Sequence, residues 1–151
     1  MRQMDTYQRI LCATDFSDNC RVASERAVDM AHQCSAKLTF LHVVEYFPEN
    51  RSNQVIAPED VDPKGYRKQQ AYASLEELVN DLGIAEAEHA VRFTTGSAGH
   101  VIVRFAKEHA FDLIVMATHG RHGITHILGA TAYIVVHGAP CDILAVRSKV
   151  D

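Results

Sequence analysis

The sequence predicts an α/β fold: an open, five-stranded parallel sheet with helices on both faces. Two observations carry this expectation. Short apolar runs alternate five times with stretches of helical periodicity, the pattern of successive right-handed crossovers between parallel strands. One of those runs, DLIVMA at 112–117, is nearly all apolar, as expected of a strand covered on both faces. At 151 residues the chain is read as one domain, 1–151, with one core.

The elements follow in order. Arg9 to Thr14 (RILCAT) is the first strand, and Asp15-Phe16-Ser17-Asp18 supplies turn and N-cap chemistry after it. From Asp18 to Cys34 small or apolar residues recur at Val22, Ala23, Ala27, Met30, Ala31 and Cys34, one buried stripe of a helix that Ser35 and Ala36 end. Lys37 to Val44 (KLTFLHVV) is the second strand. Glu45 to Pro63 contains Pro48, Pro58 and Pro63 with little periodicity and is read as a surface loop. Lys64 to Leu82 carries Tyr72, Leu75, Leu78, Val79 and Leu82 at helical spacing, with Gly83 as its stop. Ala87 to Thr95 is a shorter, more polar strand, which suits a sheet edge. Ser97 is the expected N-cap of a helix burying Val101, Ile102, Phe105, Ala106 and Ala110. After the fourth strand come a glycine-bearing loop, a helix over about Thr125 to His137, and a last strand, Asp142 to Arg147.

Whole-chain properties exclude some functions. A net charge of −4 argues against a nucleic-acid surface, though it leaves a small phosphate ligand open, because backbone amides can bind one. The opening MRQMDTYQRILCATDF has no apolar segment of signal-peptide length, and no run approaches a membrane span. The expectation is a cytoplasmic protein without membrane contact. Cys12, Cys20, Cys34 and Cys141 form no CxxC and read as reduced thiols.

In open parallel sheets ligands bind beyond the carboxyl ends of the strands, where strand order reverses. With the order 3-2-1-4-5, Asp15 after strand one and the glycine loop after strand four flank that crevice. The sequence thus points to a site before any family is considered.

Four segments, RILCATDFS, FLHVV, GSAGHVIVRFAKEHAFDLIVMATHG and APCDILAVR, in this order and spacing, resemble the universal stress protein family over nearly the whole chain. The resemblance implies a Rossmann-like sheet of the adenine nucleotide alpha hydrolase type, a homodimer and, in one branch, an ATP-binding crevice. That branch is similar to a pattern of Gly, two residues, Gly, nine residues, then Gly with Ser or Thr, whose amides and hydroxyl hold phosphates. Here Ala117 stands at the first glycine and Gly120 at the second. The end of the pattern falls either on Ala130-Thr131 or on Gly129-Ala130, so one position is lost either way. The loop is therefore open to two readings, a phosphate cradle or a tight strand-to-helix turn.

By resemblance, the nucleotide would meet Ala13, Thr14 and Asp15 from strand one, Val43 from strand two, and Met116 and Ala117 from strand four. Gly120, Arg121, His122 and Gly123 in the loop, and Gly129, Ala130 and Thr131 at the last helix, complete the set. Asp15 would act through ribose hydroxyls or a phosphate-bound Mg²⁺, with helix capping as the other reading. His42 and Val43 are neighbours on a strand, so at least one of them packs in the core, and Val43 is favoured for the ligand side. His119, Arg121, His122 and His126 crowd the loop. A zinc site there is disfavoured, since no Cys, Asp or Glu adjoins them and Gly120 and Gly123 argue against a helical turn.

The implied cofactor is ATP with Mg²⁺, and the implied role is regulatory stress response with at most slow hydrolysis, since no general base or water-positioning group stands out. The alternative is a nucleotide-free interaction module of the same fold. A flavodoxin-like carrier lacks its glycine loop in ATDFSDN, and a phosphoacceptor receiver lacks its Asp at the end of strand three. Resemblance also implies pairing of the last strand with its twin, through Ile143, Leu144, Ala145 and Val146.

Overall fold

The computed structural model describes residues 6–46, 62–119 and 129–148. Its strands are β1 (Arg9–Ala13), β2 (Lys37–Glu45), β3 (Glu88–Thr94), β4 (Leu113–Ala117) and β5 (Asp142–Val146), and its helices α1 (Asp18–Cys34), α2 (Pro63–Asp81), α3 (Ala98–Glu108) and α4 (Ala130–Gly138). All strand pairs are parallel, in the order β3-β2-β1-β4-β5. The polar third strand lies at one edge, as its weak apolar signal predicts.

Alternation along the strands divides the core in two. Ile10 and Cys12 of β1, Phe40 of β2, and Leu113 and Val115 of β4 face α1 and α2, meeting Ala27 and Leu75. Leu11, Ala13, Leu41, Ile114 and Met116 face α3 and α4, meeting Ile102, Phe105, Ala132 and Val135. Every residue of β4 is buried, which explains its unbroken apolar run.

Several boundaries move by one or two residues for identifiable reasons. Asp112 does not extend β4; its carboxylate accepts from the Gln8 and Arg9 amides at 2.8 and 3.1 Å, tying the start of β1 to β4. Pro63 belongs to α2 rather than to the preceding loop: it sits in the first turn, where its missing N–H costs nothing, behind Asp62, whose carboxylate accepts from the Gly65 amide at 2.9 Å. Gly83, at φ +67°, ends α2. Residues 47–61 of the expected loop and residues 125–128 of the expected last helix lie outside the described residues. No described helix is long and apolar enough to cross a membrane.

Candidate functional site

β1 and β4 are neighbours whose chains depart to opposite faces, so a crevice opens between their carboxyl ends. The β1 side is a rigid corner. The Thr14 amide donates to the Leu41 carbonyl at 2.9 Å, and the Thr14 hydroxyl accepts from the Phe16 amide at 3.0 Å. Phe16 takes φ +65°, a left-handed conformation that costs a bulky residue about 1–2 kcal/mol. It is braced by its ring, 4.5 Å from that of His42, whose Nδ1 donates to the Thr14 carbonyl at 2.8 Å. Asp15 Oδ1 accepts from the Ser17 amide at 2.9 Å, and Ser17 in turn caps α1, accepting from the Cys20 amide. The capping role weighed for Asp15 therefore belongs to Ser17, and Asp15 closes the turn in front of it.

The β4 side is built differently. The Thr118 amide donates to the Val146 carbonyl of β5 at 3.1 Å, and the Thr118 carbonyl accepts from the Gly129 amide at 2.8 Å. Gly129 is the N-cap of α4, with no side chain to bond the first turn. The Tyr133 amide is the first to find its helical acceptor, on Gly129, so Ala130, Thr131 and Ala132, whose amides have no acceptor in the helix, line the crevice. α4 is held close to α3 at Gly99: a Cβ there would lie 2.7 Å from Ile134 Cβ and 3.2 Å from the Thr131 carbonyl.

Between the two sides is a cavity of about 340 Å³. β1 and the turn after it contribute Ala13, Thr14 and Asp15. β2 contributes Leu41, Val43 and Glu45. β4 and the residues after it contribute Met116, Ala117, Thr118 and His119. α4 brings Gly129, Ala130, Thr131 and Ala132, and α3 brings Ala98 and Ile102. Every candidate site residue that is described thus lines one cavity. Gly120, Arg121, His122 and Gly123, with His126, lie outside the described residues. His42 does not line it, because its ring points to the other face of β2.

Two departures from the glycine pattern have a definite structural setting. Ala117 lies inside β4 and is not among the described residues with positive φ, so a small side chain suffices there and glycine is not required. Thr131 brings a hydroxyl to the first turn of α4, at the pattern's position if it ends on Ala130-Thr131 and one residue beyond it if it ends on Gly129-Ala130. Sequence reasoning did not assign Cys20, Leu41, Glu45, Ala98, Ile102, Thr118 or Ala132 to the site. Glu45 was legible in principle, since it follows Leu41 and Val43 at the spacing that shares a strand face. Ala98, Ile102 and Thr118 depend on how α3 and the β4 turn pack.

Burial pushes the Cys12 thiol up to about 12 and, helped by the negative charge of Asp15, the Cys20 thiol up to about 11. Both stay protonated near neutral pH, so Cys20, at the floor of the cavity, is no nucleophile there. No cluster of three His, Cys, Asp or Glu side chains suits a metal ion among the described residues.

The sequence matches the profile of the universal stress protein family over residues 6–147. The chain belongs to that family. Universal stress protein A homolog 2 of Coxiella burnetii is 35% identical over 147 residues, covering 97% of this chain and 99% of that protein. Among solved structures, the universal stress protein UspA of Lactobacillus plantarum has 25% identity and a TM-score of 0.73, over 95% of this chain and all of its own. A universal stress protein solved in complex with cAMP has 25% identity and a TM-score of 0.66, over 94% of this chain and 98% of its own. The family membership thus agrees with the sheet order and with the resemblance of the four sequence segments.

Proposed function

We propose that this universal stress protein binds an adenine nucleotide, ATP foremost, in the cavity between β1 and β4, and that occupancy is regulatory rather than metabolic. The observation that carries the reading is the open first turn of α4. Three amides without helical acceptors, at the positive end of a helix, line a cavity whose walls are otherwise largely apolar. Phosphate oxygens match the first feature and a purine ring the second. The cAMP complex of a relative at 25% identity supports the choice of ligand class.

Asp15 is the carboxylate nearest the β1–α1 turn and meets the ribose hydroxyls or a cation carried in by the phosphates. Among the described residues its neighbours do not amount to a protein-held metal site, and in this proposal Mg²⁺ arrives with the nucleotide and neutralises phosphate charge beside an acidic side chain. The sequence-placed loop residues Gly120, Arg121, His122 and Gly123 would close over the same phosphates. Titrating nucleotide-stripped protein with ATP by calorimetry tests this reading. Saturable binding at or below millimolar ligand is expected; its absence leaves the nucleotide-free interaction module as the function.

The chain also acts as a homodimer in this proposal. Among the described residues β5 is a sheet edge, with Ile143 and Leu144 half-buried and Ala145 exposed. The Val146 side chain is buried in the core, so of the four residues named for the interface it contributes through backbone alone. Tyr133 and Val136, exposed on α4, add apolar surface to the protein. Light scattering at micromolar protein should give the mass of two chains, and a monomeric mass would remove this part of the proposal.

A further inference from the structure

The two ends of the cavity have opposite polarity. At the α4 end, backbone amides present donors. Two strands away, about 10 Å across the sheet, β2 presents Glu45. Its backbone is fixed by pairing with Thr94, and the next amide, of Tyr46, donates to the Thr94 carbonyl at 2.9 Å. Leu41 and Val43 put the same strand face into the cavity, so alternation aims Glu45 there too. Neither of the ion pairs among the described residues engages its carboxylate. Ile102 and Met116 line the cavity between the two ends and offer no competing acceptor.

We propose that Glu45 is the residue that selects the base. This rests on the nucleotide reading above and goes beyond it by naming what decides the ligand's identity. A nucleotide with its phosphates on the α4 amides directs its base toward β2. A carboxylate only accepts hydrogen bonds, so it pairs with an exocyclic amino group and meets a ring carbonyl as acceptor against acceptor. Glu45 therefore favours a 6-aminopurine over a 6-oxopurine. Asp15, the other carboxylate in the cavity, already accepts from the Ser17 amide and sits between the two ends, on the sugar side.

The test titrates the nucleotide-stripped full chain and its Glu45→Gln variant with ATP and with ITP, which differ at that one purine substituent. Glu45 is exposed, so the variant should fold, and a thermal melt checks this. The wild type should prefer ATP by about tenfold or more, the scale of a hydrogen bond to a charged group. Glu45→Gln should bring the ratio close to one, because an amide can rotate to offer either an acceptor or a donor. Equal wild-type affinities, or a ratio that survives the substitution, would overturn the role of Glu45 while leaving nucleotide binding in place. Failure of both nucleotides to bind the wild type would overturn the nucleotide reading and this inference together.

Discussion

The two faces of the sheet treat their helix N-termini in opposite ways. On one face, α1 is capped by Ser17 and α2 by Asp62, each side chain bonding an amide of the first turn. On the other, α3 begins after Ser97 with no side-chain cap bond, and α4 begins after Gly129, which has no side chain to offer. In the first pair the chain itself supplies an acceptor to one orphan donor of each helix. The second pair brings its first residues, Ala98 and Ala130, to the cavity. A missing side-chain cap costs from a few tenths of a kcal/mol at a glycine to about 1 kcal/mol, and both helix starts without one lie on the face that carries the cavity. The comparison separates a face whose helix starts are capped by the chain from the face on which binding is proposed.

The largest expected effect comes from disturbing the uncapped face. Gly99→Val places a branched side chain where even a Cβ would lie 2.7 Å from Ile134, so α4 must move away from α3. Overpacking of this kind costs about 1–3 kcal/mol, and the shift of the α4 amides should weaken ATP binding as well. Chemical denaturation and calorimetry read the two losses; a variant with wild-type stability and affinity would mean that the α3–α4 contact does not position the site.

The capped face carries its own signature in pH. Cys12 of β1 and Cys20 of α1 share the core on that face, with thiols pushed to about 12 and about 11 against about 9 for the unperturbed group. A native pKa raised above the unfolded one gives stability that is complete below about pH 9 and lost as pH rises through 11 to 12. Denaturation midpoints should therefore be level up to about pH 8 and fall by pH 10. The decline should be shallower in the Cys12→Ala, Cys20→Ala double variant, and an equal decline in both proteins would refute the assignment.

Smaller still is the direct comparison of caps. Ser17→Ala should cost about 1 kcal/mol, or a melting temperature lower by about 2–4 °C, with little change in ATP affinity. Ser97→Ala should be close to neutral, because its hydroxyl makes no cap bond. Equal losses in the two melts would erase the distinction between the faces.

Much of this was legible in the residues. Five apolar runs and their intervening periodicity are strong signals, and they place every described element to within a few residues. Asp62-Pro63 was passed over because the prolines before it suggested loop, although Asp before Pro is also a helix start. The cavity of the candidate site was legible where it follows strand ends, at Ala13 to Asp15 and at Met116 and Ala117, because parallel sheets open a crevice there. Glu45 was hidden by its exposed, charged character at a strand end, which reads as loop unless the alternation from Leu41 is followed through. The openness of the α4 N-terminus was not legible at all. Ser97 and Gly129 look like ordinary cap and turn residues, and only the hydrogen bonds tell a filled first turn from an empty one.

The claim that the empty first turn of α4 is the anion site can be tested by filling it. Gly129 has φ −60° and ψ 156°, a conformation that suits an N-cap aspartate. Gly129→Asp should close the turn with the protein's own carboxylate, leaving stability unchanged or a few tenths of a kcal/mol higher. The Kd for ATP, measured by calorimetry beside the wild type, should rise by about tenfold or more as a fixed negative charge displaces the phosphates. A folded Gly129→Asp protein that binds ATP as tightly as the wild type would contradict the account, because the phosphates would then rest somewhere other than on α4.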